Sequence, residues 1–142
     1  MAITTKGVLD WILYEKAGSD HCRLIEFIKQ FIEGKKNKLI LMDNASCHKN
    51  QEVKDFIIKS KNDFVYILPY HHYMNPIEKF FNQLKYYMKR DEPMSYDLIK
   101  KSIKYIELKT YKNYFKSSLT KTKEDIKDIK MKYRKKAKIY KE

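Results

Sequence analysis

The sequence predicts a single α/β domain that carries a basic C-terminal tail. Its 142 residues are enough to fold around one hydrophobic core. Two short apolar runs, LILM at 39–42 and FVYIL at 64–68, enclose a segment in which apolar residues recur at helical spacing. A strand, a helix and a strand in this order favour a parallel pair joined by a right-handed crossover.

The N-terminal part of the chain predicts a strand or hairpin followed by a helix. Residues 2–15 alternate loosely between apolar and polar side chains, as a strand or part of a hairpin does. From Ser19 or Asp20, either of which is a good N-cap, apolar residues recur at helical spacing until Gly34. The run at 39–42 then has the continuous apolar character of a strand that is buried on both faces of a parallel or mixed sheet.

Helical patterns follow in the middle of the chain. A second helix is expected over 50–59, before the strand at 64–68. Asn75 as N-cap and Pro76 at the first helical position begin a third helix, which we expect to run to about Arg90.

The C-terminal part predicts one more helix and a strongly basic end. Apolar residues at helical spacing indicate a helix over 96–114. From Lys121 onward ten Lys or Arg stand against four Asp or Glu, which fits either a solvated basic helix or a disordered tail. We therefore divide the chain into a folded part at 1–116 and a basic C-terminal helix or tail at 117–142.

The composition favours a polyanionic partner and excludes several classes of protein. Lys and Arg number 31 against 18 Asp and Glu, and the formal net charge of +13 attracts nucleic acid or anionic lipid. Cys22 and Cys47 are too few for a disulfide framework and match no zinc-ligand spacing, so reduced thiols are expected. No apolar run approaches the roughly 18 residues of a membrane span. We expect a soluble intracellular chain without a membrane partner, nuclear or DNA-associated in a eukaryotic or viral host.

Two acidic residues are predicted to lie at the edge of the sheet where open α/β proteins bind their ligands. Asp43 directly follows the apolar run at 39–42, and open α/β sheets bind ligands outside the carboxyl ends of their strands. Glu78 opens the helix that follows the next strand by one loop, near the same edge. Two carboxylates brought together repel each other unless a cation neutralises them, and hard oxygen ligands suit Mg²⁺ or Mn²⁺.

The two segments that hold these acids together resemble a known family. LILMDNASCHK resembles the second catalytic strand of mariner-type transposases of the DDE superfamily and of their bacterial insertion-sequence relatives. YILPYHHYMNPIEKFFNQLK resembles the strand, loop and helix that carry the third catalytic acid of that family. The 34 residues between Asp43 and Glu78 equal the family's separation of these two acids. The resemblance covers roughly residues 5–115.

This resemblance implies a ribonuclease H-like fold and metal-dependent DNA chemistry in transposition and integration. In the family, three acids hold two divalent ions; one ion activates a water or a DNA 3′-hydroxyl and the other stabilises the leaving oxygen. The resemblance thereby assigns Asp43 and Glu78 as catalytic residues and metal ligands, Mg²⁺ or Mn²⁺ as the cofactor and DNA as the partner. Residues 1–116 then form a partial catalytic domain that is incomplete at its N-terminus.

The chain departs from the family in its first acid. In the family this acid lies on a central strand upstream of the segment that matches residues 5–15, and no such stretch exists here. Asp10 is the nearest acid in a strand-like run, but its position resembles a later strand. The helix-turn-helix region that precedes the catalytic domain is also missing, and the loop before NPIE has only Pro69 where two prolines are usual.

These departures leave two interpretations of the chain. The first is a truncated catalytic domain or one part of a split reading frame, with little activity unless a homodimer or a separate polypeptide supplies the missing part. The alternative is a non-catalytic basic module, derived from a transposase, that binds DNA or a partner.

Each site residue also has a purely structural interpretation. Asp43 fits a strand-terminating turn, and Asn75 with Glu78 fits the N-cap and N3 positions of a capping box. His48 either helps to position Asp43 or lies on the surface. Asn44 and Asn75 are supporting candidates that could orient the neighbouring carboxylates.

The helix that begins near Glu78 combines a basic and an apolar face. Its basic residues are candidate DNA contacts or a solvated face, namely Lys79, Lys85, Lys89 and Arg90. Its apolar residues have the period of a core-facing stripe, namely Phe80, Phe81 and Leu84. In the preceding loops a zinc site lacks the required ligand spacing, so the loop surface is the favoured interpretation of His71, His72 and Cys47.

Overall fold

The computed structural model describes residues 1–14, 18, 20–69, 71–88 and 93–139, with side chains described up to residue 127. Its elements follow in chain order as β1 (Ala2–Thr4), β2 (Gly7–Asp10), α1 (His21–Ile32), β3 (Leu39–Met42), α2 (Gln51–Lys59), β4 (Asp63–Tyr66), a short 3₁₀ helix (His72–Met74), α3 (Pro76–Tyr87), α4 (Tyr96–Lys104) and α5 (Leu108–Ile139). This mixture confirms the predicted α/β class.

Two separate two-stranded sheets make up the β structure of the described residues. β1 and β2 form an antiparallel pair with Ile3 opposite Val8, which confirms the expected strand or hairpin. β3 and β4 pair in parallel, with Leu39 opposite Asp63. The predicted parallel pair, with a helix between its strands, is therefore confirmed.

Side-chain caps begin the helices where the sequence predicts them. Asp20 Oδ1 accepts a hydrogen bond from Arg23 N at 2.8 Å and begins α1. Asn50 Oδ1 accepts one from Glu52 N at 2.8 Å at the start of α2. Asn75 caps α3, whose first residue is the predicted proline. Each cap satisfies a backbone N–H that the first helical turn leaves without an acceptor in the helix.

The prediction of a single helix over 96–114 is wrong. Two helices, α4 and α5, occupy this stretch, and the break lies between Lys104 and Leu108. The N–H groups of Tyr105 and Ile106 donate to carbonyls three residues earlier, which tightens and closes the end of α4. After this break, Ile106 is buried together with the apolar face of α5.

The last helices also differ from the prediction in their ends. α3 ends at Tyr87 rather than near Arg90, and Lys89 and Arg90 lie outside the described residues. α5 continues without interruption from Leu108 to Ile139, so one helix crosses the predicted boundary between residues 116 and 117. The division of the chain at that point stays a prediction.

The expectation that β3 is buried on both faces is also wrong. Leu39 is 67 % exposed and Leu41 is 36 % exposed, whereas Met42 is buried. In the described part of the chain β3 pairs with β4 alone. On its other side β3 borders a cavity instead of a second strand. The burial of a strand depends on its neighbours, which its own apolar run does not specify.

Two hydrophobic clusters form the core of the part of the chain that the structure describes. The first joins α1, α2 and β3 through buried Ile28, Ile32, Met42, Val53 and Ile57. The second joins α3 to α5 and the segment before it, through buried Phe80, Leu84, Ile106, Tyr111 and Tyr114. The core assignment of Phe80 and Leu84 is confirmed, and Phe81 packs partly buried against the second cluster. The first cluster therefore positions β3, and the second positions α3.

Two features complete the description of the fold. Cys22 and Cys47 are both free thiols, as the cysteine count predicts. Among the described residues, no helix combines the length and the apolar character needed to cross a lipid bilayer.

Candidate functional site

A cavity of about 800 Å³ brings the carboxyl end of β3 together with the start of α3. Asp43, His48, Asn75 and Glu78 all line this cavity, although up to 35 positions separate them in the sequence. Asp43 and Glu78 are its acidic lining residues within the described part of the chain. Asp10 lies outside the lining, and its Oδ1 accepts a hydrogen bond from the backbone N–H of the next residue at 2.8 Å.

A short network of hydrogen bonds holds Asp43 at the end of β3. His48 Nδ1 lies 2.6 Å from Asp43 Oδ1, and the N–H of Ala45 donates to the same oxygen at 3.0 Å. Tyr66 of β4 donates its hydroxyl to the carbonyl of His48 at 2.6 Å, and burial raises the pKa of this phenol. The loop that follows β3 is therefore attached both to Asp43 and to the neighbouring strand.

Glu78 lies in the first turn of α3 without completing a capping box. Asn75 Oδ1 accepts from Ile77 N at 3.4 Å, but the N–H of Asn75 donates to the carbonyl of His72 at 2.9 Å. The reciprocal bond from Asn75 N–H to the Glu78 carboxylate is thus replaced by a bond to the preceding 3₁₀ helix. Within the described residues the Glu78 carboxylate has no hydrogen-bond or ion-pair partner, and it lines the cavity half-buried.

The two asparagines expected to support the carboxylates make other bonds. Asn44 Nδ2 donates to the carbonyl of Ile67 and attaches the loop after β3 to the residue just beyond β4. Asn75 acts on Glu78 through the backbone, because its carbonyl accepts from Glu78 N at 3.1 Å. Both asparagines therefore fix the backbone around the acids rather than contact a carboxylate.

A pair of lysines lies beside the Glu78 turn. Lys79 Nζ donates to Ser117 Oγ of α5 at 2.5 Å, and burial followed by the charge of Lys121 lowers the pKa of Lys79. Lys121 Nζ lies 4.5 Å from the ring centroid of Tyr73. Lys85, on the last turn of α3, is exposed. Two ammonium groups held near each other make a local positive charge that suits an anion.

The contacts that α5 makes with this region are a feature that sequence reasoning missed. Ser118 Oγ donates to the carbonyl of Tyr73 at 3.1 Å, and the Tyr73 hydroxyl donates to Asp125. The bond to Asp125 is the main cause that raises the pKa of Tyr73 to about 12. These bonds attach the 3₁₀ helix before Glu78 to α5. No local signal in the sequence could have revealed them, because they depend on where the break before Leu108 directs α5.

The remaining candidate ligands stay apart from the two acids. His71 Nδ1 lies 2.7 Å from the carbonyl of Pro69, and His72 is exposed. No group of three His, Cys, Asp or Glu side chains that could hold a metal ion is found among the residues that the structure describes. The site as seen therefore offers two carboxylates from this chain, Asp43 and Glu78.

Comparison with protein families identifies the lineage of this arrangement. A family model described as DDE superfamily endonuclease matches residues 1–99, more than two thirds of the chain. The chain belongs to the DDE superfamily endonucleases. Searches of curated proteins and of solved structures found no significant match.

The match places the candidate site inside the DDE endonuclease region. Asp43 and Glu78 both fall within residues 1–99, together with every strand of the two sheets. α5, which contributes Ser117 and Lys121, lies beyond the matched residues. The acids of this DDE-superfamily chain are thus part of the matched region, whereas one half of its lysine pair comes from outside it.

Proposed function

We propose that this chain is the catalytic part of a mariner-like transposase, which cuts and joins DNA by phosphoryl transfer with a divalent metal in transposition and integration. The supporting observation is that Asp43 and Glu78 line one cavity in a chain of the DDE superfamily. The carboxylate of Glu78 is not engaged by the capping box that would otherwise explain its position. This favours a ligand role for Glu78 over a purely structural one.

The donor set fits a hard divalent cation. Mg²⁺ is usually bound through one or two carboxylates, with waters and substrate phosphates completing its coordination. Asp43 and Glu78 would hold it, and the bound ion would polarise a phosphoryl oxygen and generate a nucleophile at neutral pH. Mn²⁺ accepts the same oxygen ligands.

The other residues of the site position the acids and the DNA. His48 holds one oxygen of Asp43, which leaves the second oxygen directed elsewhere, and Tyr66 holds the loop that carries His48. Lys79 follows Glu78 directly and, with Lys121, offers positive charge for a phosphate of the DNA backbone. Such contacts add affinity that does not depend on sequence and falls with salt.

A plasmid-nicking assay tests the catalytic proposal. Supercoiled plasmid is incubated with the purified chain in Mg²⁺ or Mn²⁺, and nicked circles are counted over time. We expect Asp43→Asn and Glu78→Gln each to reduce the rate by about 100-fold or more, because each removes one charged ligand of the ion. Asp63→Asn and Glu52→Gln serve as matched controls, since these acids begin β4 and the first turn of α2 away from the cavity.

A non-catalytic DNA-binding module is the second candidate. It is favoured by the presence of only two acids in the cavity lining of the described residues and by the lysine pair beside them. This candidate predicts DNA binding that is unchanged by EDTA and by Glu78→Gln but is lost as salt rises. Nicking that persists equally in wild type, Asp43→Asn and Glu78→Gln would reject the catalytic proposal and point to a contaminating nuclease.

A further inference from the structure

One exposed stripe of α3 leads away from the candidate site. Glu78, Asn82 and Tyr86 follow one another at spacings of four residues, so they lie on the same face of the helix. Lys85 extends this face, and both Asn82 and Lys85 are exposed and lie outside the cavity lining. Other residues of α3 pack into the second hydrophobic cluster. The stripe thus runs from the carboxylate in the cavity to exposed side chains in the last turn of the helix.

Tyr86, at the end of this stripe, is the first ring in a row of three tyrosines. Its side chain is 83 % exposed, more than that of any other large apolar or aromatic residue in the described part of the chain. Its ring meets the ring of Tyr87 edge to face at 5.4 Å between centroids, and Tyr87 is stacked on Tyr105 at 5.6 Å. Tyr87 packs against the second hydrophobic cluster, whereas Tyr105 is 54 % exposed. The tyrosine row is therefore anchored by its middle ring and exposed at both ends.

Positive charge adjoins both exposed ends of the tyrosine row. Lys85 directly precedes Tyr86 on α3. Lys104 directly precedes Tyr105, and both lysine side chains are exposed. The carboxylate of Glu107, two residues beyond the row, lies 2.7 Å from the ammonium group of a neighbouring lysine. Exposed rings beside positive charge are what a nucleic acid strand with unpaired bases requires, because the charge attracts phosphates and the rings stack on bases.

The distance from Glu78 to Tyr86 corresponds to a few nucleotides. Eight residues of α-helix span about 12 Å. Phosphates of one DNA strand in a duplex follow one another about every 3.4 Å along the axis. A strand whose scissile phosphate lies at the two acids would therefore bring bases a few nucleotides away to the tyrosine row. Inside a duplex the faces of each base are covered by its neighbours, so the base that reaches Tyr86 must be unpaired or terminal.

We propose that the exposed stripe of α3 guides an unpaired DNA strand away from the two acids, with Tyr86 as the platform on which a base stacks. This inference rests on the proposed function, since it assigns a path to the strand that the acids would cut. Lys85 contributes a phosphate contact along this path, and Tyr87 supports the Tyr86 ring from the side. Stacking tolerates any sequence, because every base has an aromatic face.

A single-stranded oligonucleotide tests this path without requiring nuclease activity. The probe has about 12 nucleotides, within the usual range of single-strand sites, and carries a dye at one end. A second series of probes carries the fluorescent base 2-aminopurine at successive positions, because its emission falls when the base stacks on a ring. The Asp43→Asn, Glu78→Gln double variant is used without metal, so that the strand stays intact.

In this background, Tyr86→Ala should weaken binding of the single strand about ten-fold, because it removes a ring on which a base stacks. Tyr86→Phe should bind as the parent does and keep the loss of 2-aminopurine emission. A blunt duplex of the same length should bind equally well with and without Tyr86→Ala. Tyr96→Ala is the matched control, since Tyr96 is 55 % exposed but stacks on Trp11 at 4.4 Å outside the tyrosine row.

Salt dependence separates stacking from charge. Lys85→Gln should reduce the slope of log K against log salt concentration by about 0.7, the value for one phosphate of a single strand. Tyr86→Ala should lower the affinity at every salt concentration and leave this slope unchanged, because no counterion is released when a base stacks on a ring.

Three results would overturn the inference. The first is equal binding of the single strand by Tyr86→Ala and its parent, and the second is 2-aminopurine emission that stays unchanged at every position. The third is a dimer in sedimentation that Tyr86→Ala dissociates without any change in DNA binding, which would assign the ring to a second copy of the chain. Binding that depends on Tyr86 in a protein that nicks no plasmid would overturn the proposed catalysis alone. Nicking without any effect of Tyr86→Ala on single-strand binding would overturn this inference alone.

Discussion

Tyr114 connects the core to the pH dependence of stability. Its side chain is buried, its hydroxyl donates to Gln83, and burial followed by the neighbouring phenols of Tyr111 and Tyr87 raises the pKa of Tyr114 to about 12. An unfolded tyrosine ionises near pH 10. The folded state therefore gains stability from the neutral phenol below about pH 10, and this contribution is lost as the pH rises towards 12.

We predict that Tyr114→Phe flattens the alkaline decline in stability. The free energy of unfolding, measured with urea from pH 8 to 11, should fall less steeply above pH 10 in this variant than in wild type. At pH 8 the variant should be less stable by about 0.5–1.5 kcal/mol, because the hydrogen bond to Gln83 is lost. Tyr86→Phe, at a position 83 % exposed, should change neither quantity. An equally steep decline in both variants would contradict the assignment to Tyr114.

Lys79 gives a prediction about DNA affinity. If its ammonium group contacts a phosphate, Lys79→Gln should reduce the slope of log K against log salt concentration by about 0.9. Lys121→Gln should have a similar effect, since the two charges lie close together. Lys109→Gln is the control, because Lys109 is exposed and lies 2.7 Å from the carboxylate of Glu107. Equal slopes for all four proteins, measured by fluorescence anisotropy with a duplex of fixed length, would exclude the lysine pair from the interface.

At the scale of single elements, α3 links the candidate site to the second hydrophobic cluster. Phe80 is fully buried in this helix, with ring centroids 5.8 Å from Tyr111 and 6.5 Å from Tyr114 of α5. Glu78 lies two residues earlier, so the same helix turn supports a buried ring and presents a carboxylate to the cavity. The packing of α3 on α5 therefore sets the position of Glu78.

Truncation of Phe80 measures this packing. Phe80→Ala should lower the free energy of unfolding by about 3–5 kcal/mol, because it leaves a cavity among rings that can relax only in part. Tyr86→Ala, on the exposed side of α3, should stay within about 0.5 kcal/mol of wild type. Urea denaturation followed by circular dichroism gives both values. A cost below about 1 kcal/mol for Phe80→Ala would show that the α3–α5 contact is not tightly packed.

The elements differ in how far the sequence predicts them, for a physical reason. Caps such as Asp20 and Asn75 and the parallel pair of β3 with β4 depend on local signals, namely side-chain acceptors at helix starts and short apolar runs. The break between α4 and α5 has no such signal, since 96–114 contains neither Gly nor Pro. It arises because Ile106 and the tyrosines of α5 are buried together, which is a tertiary effect.

In the candidate site, too, some features follow from local sequence signals and others depend on tertiary contacts. Asp43 and Glu78 are predictable because each follows a strong local motif and their spacing matches a family. The hydrogen-bond partners around these acids are harder to predict from the sequence. Asn44 donates to the carbonyl of Ile67 rather than to a carboxylate, and Tyr66 donates to the His48 carbonyl from a strand 18 positions away. Hydrogen bonds between distant segments depend on packing that the sequence pattern does not encode.

At the scale of the whole molecule, two hydrophobic clusters of the described residues meet around the cavity, and no hydrogen bond joins the two sheets within that part of the chain. This arrangement predicts that the chain opens in two units. Ile57 is fully buried in the first cluster, so Ile57→Ala should cost about 2–5 kcal/mol. Native-state hydrogen exchange should show faster exchange in α1, α2, β3 and β4, with a smaller change in α3 and α5. A uniform loss of protection would show that the two clusters unfold as one unit.

The edge of β3 with which no described strand pairs has a further consequence for how the protein behaves at high concentration. Exposed strand edges are templates for contact between identical molecules, and the net charge of +13 opposes such encounters by mutual repulsion. The range of this repulsion shrinks from about 30 Å at 0.01 M salt to about 10 Å at 0.1 M. Added salt should therefore reduce colloidal stability, and light scattering should record larger particles in concentrated stocks as ionic strength rises.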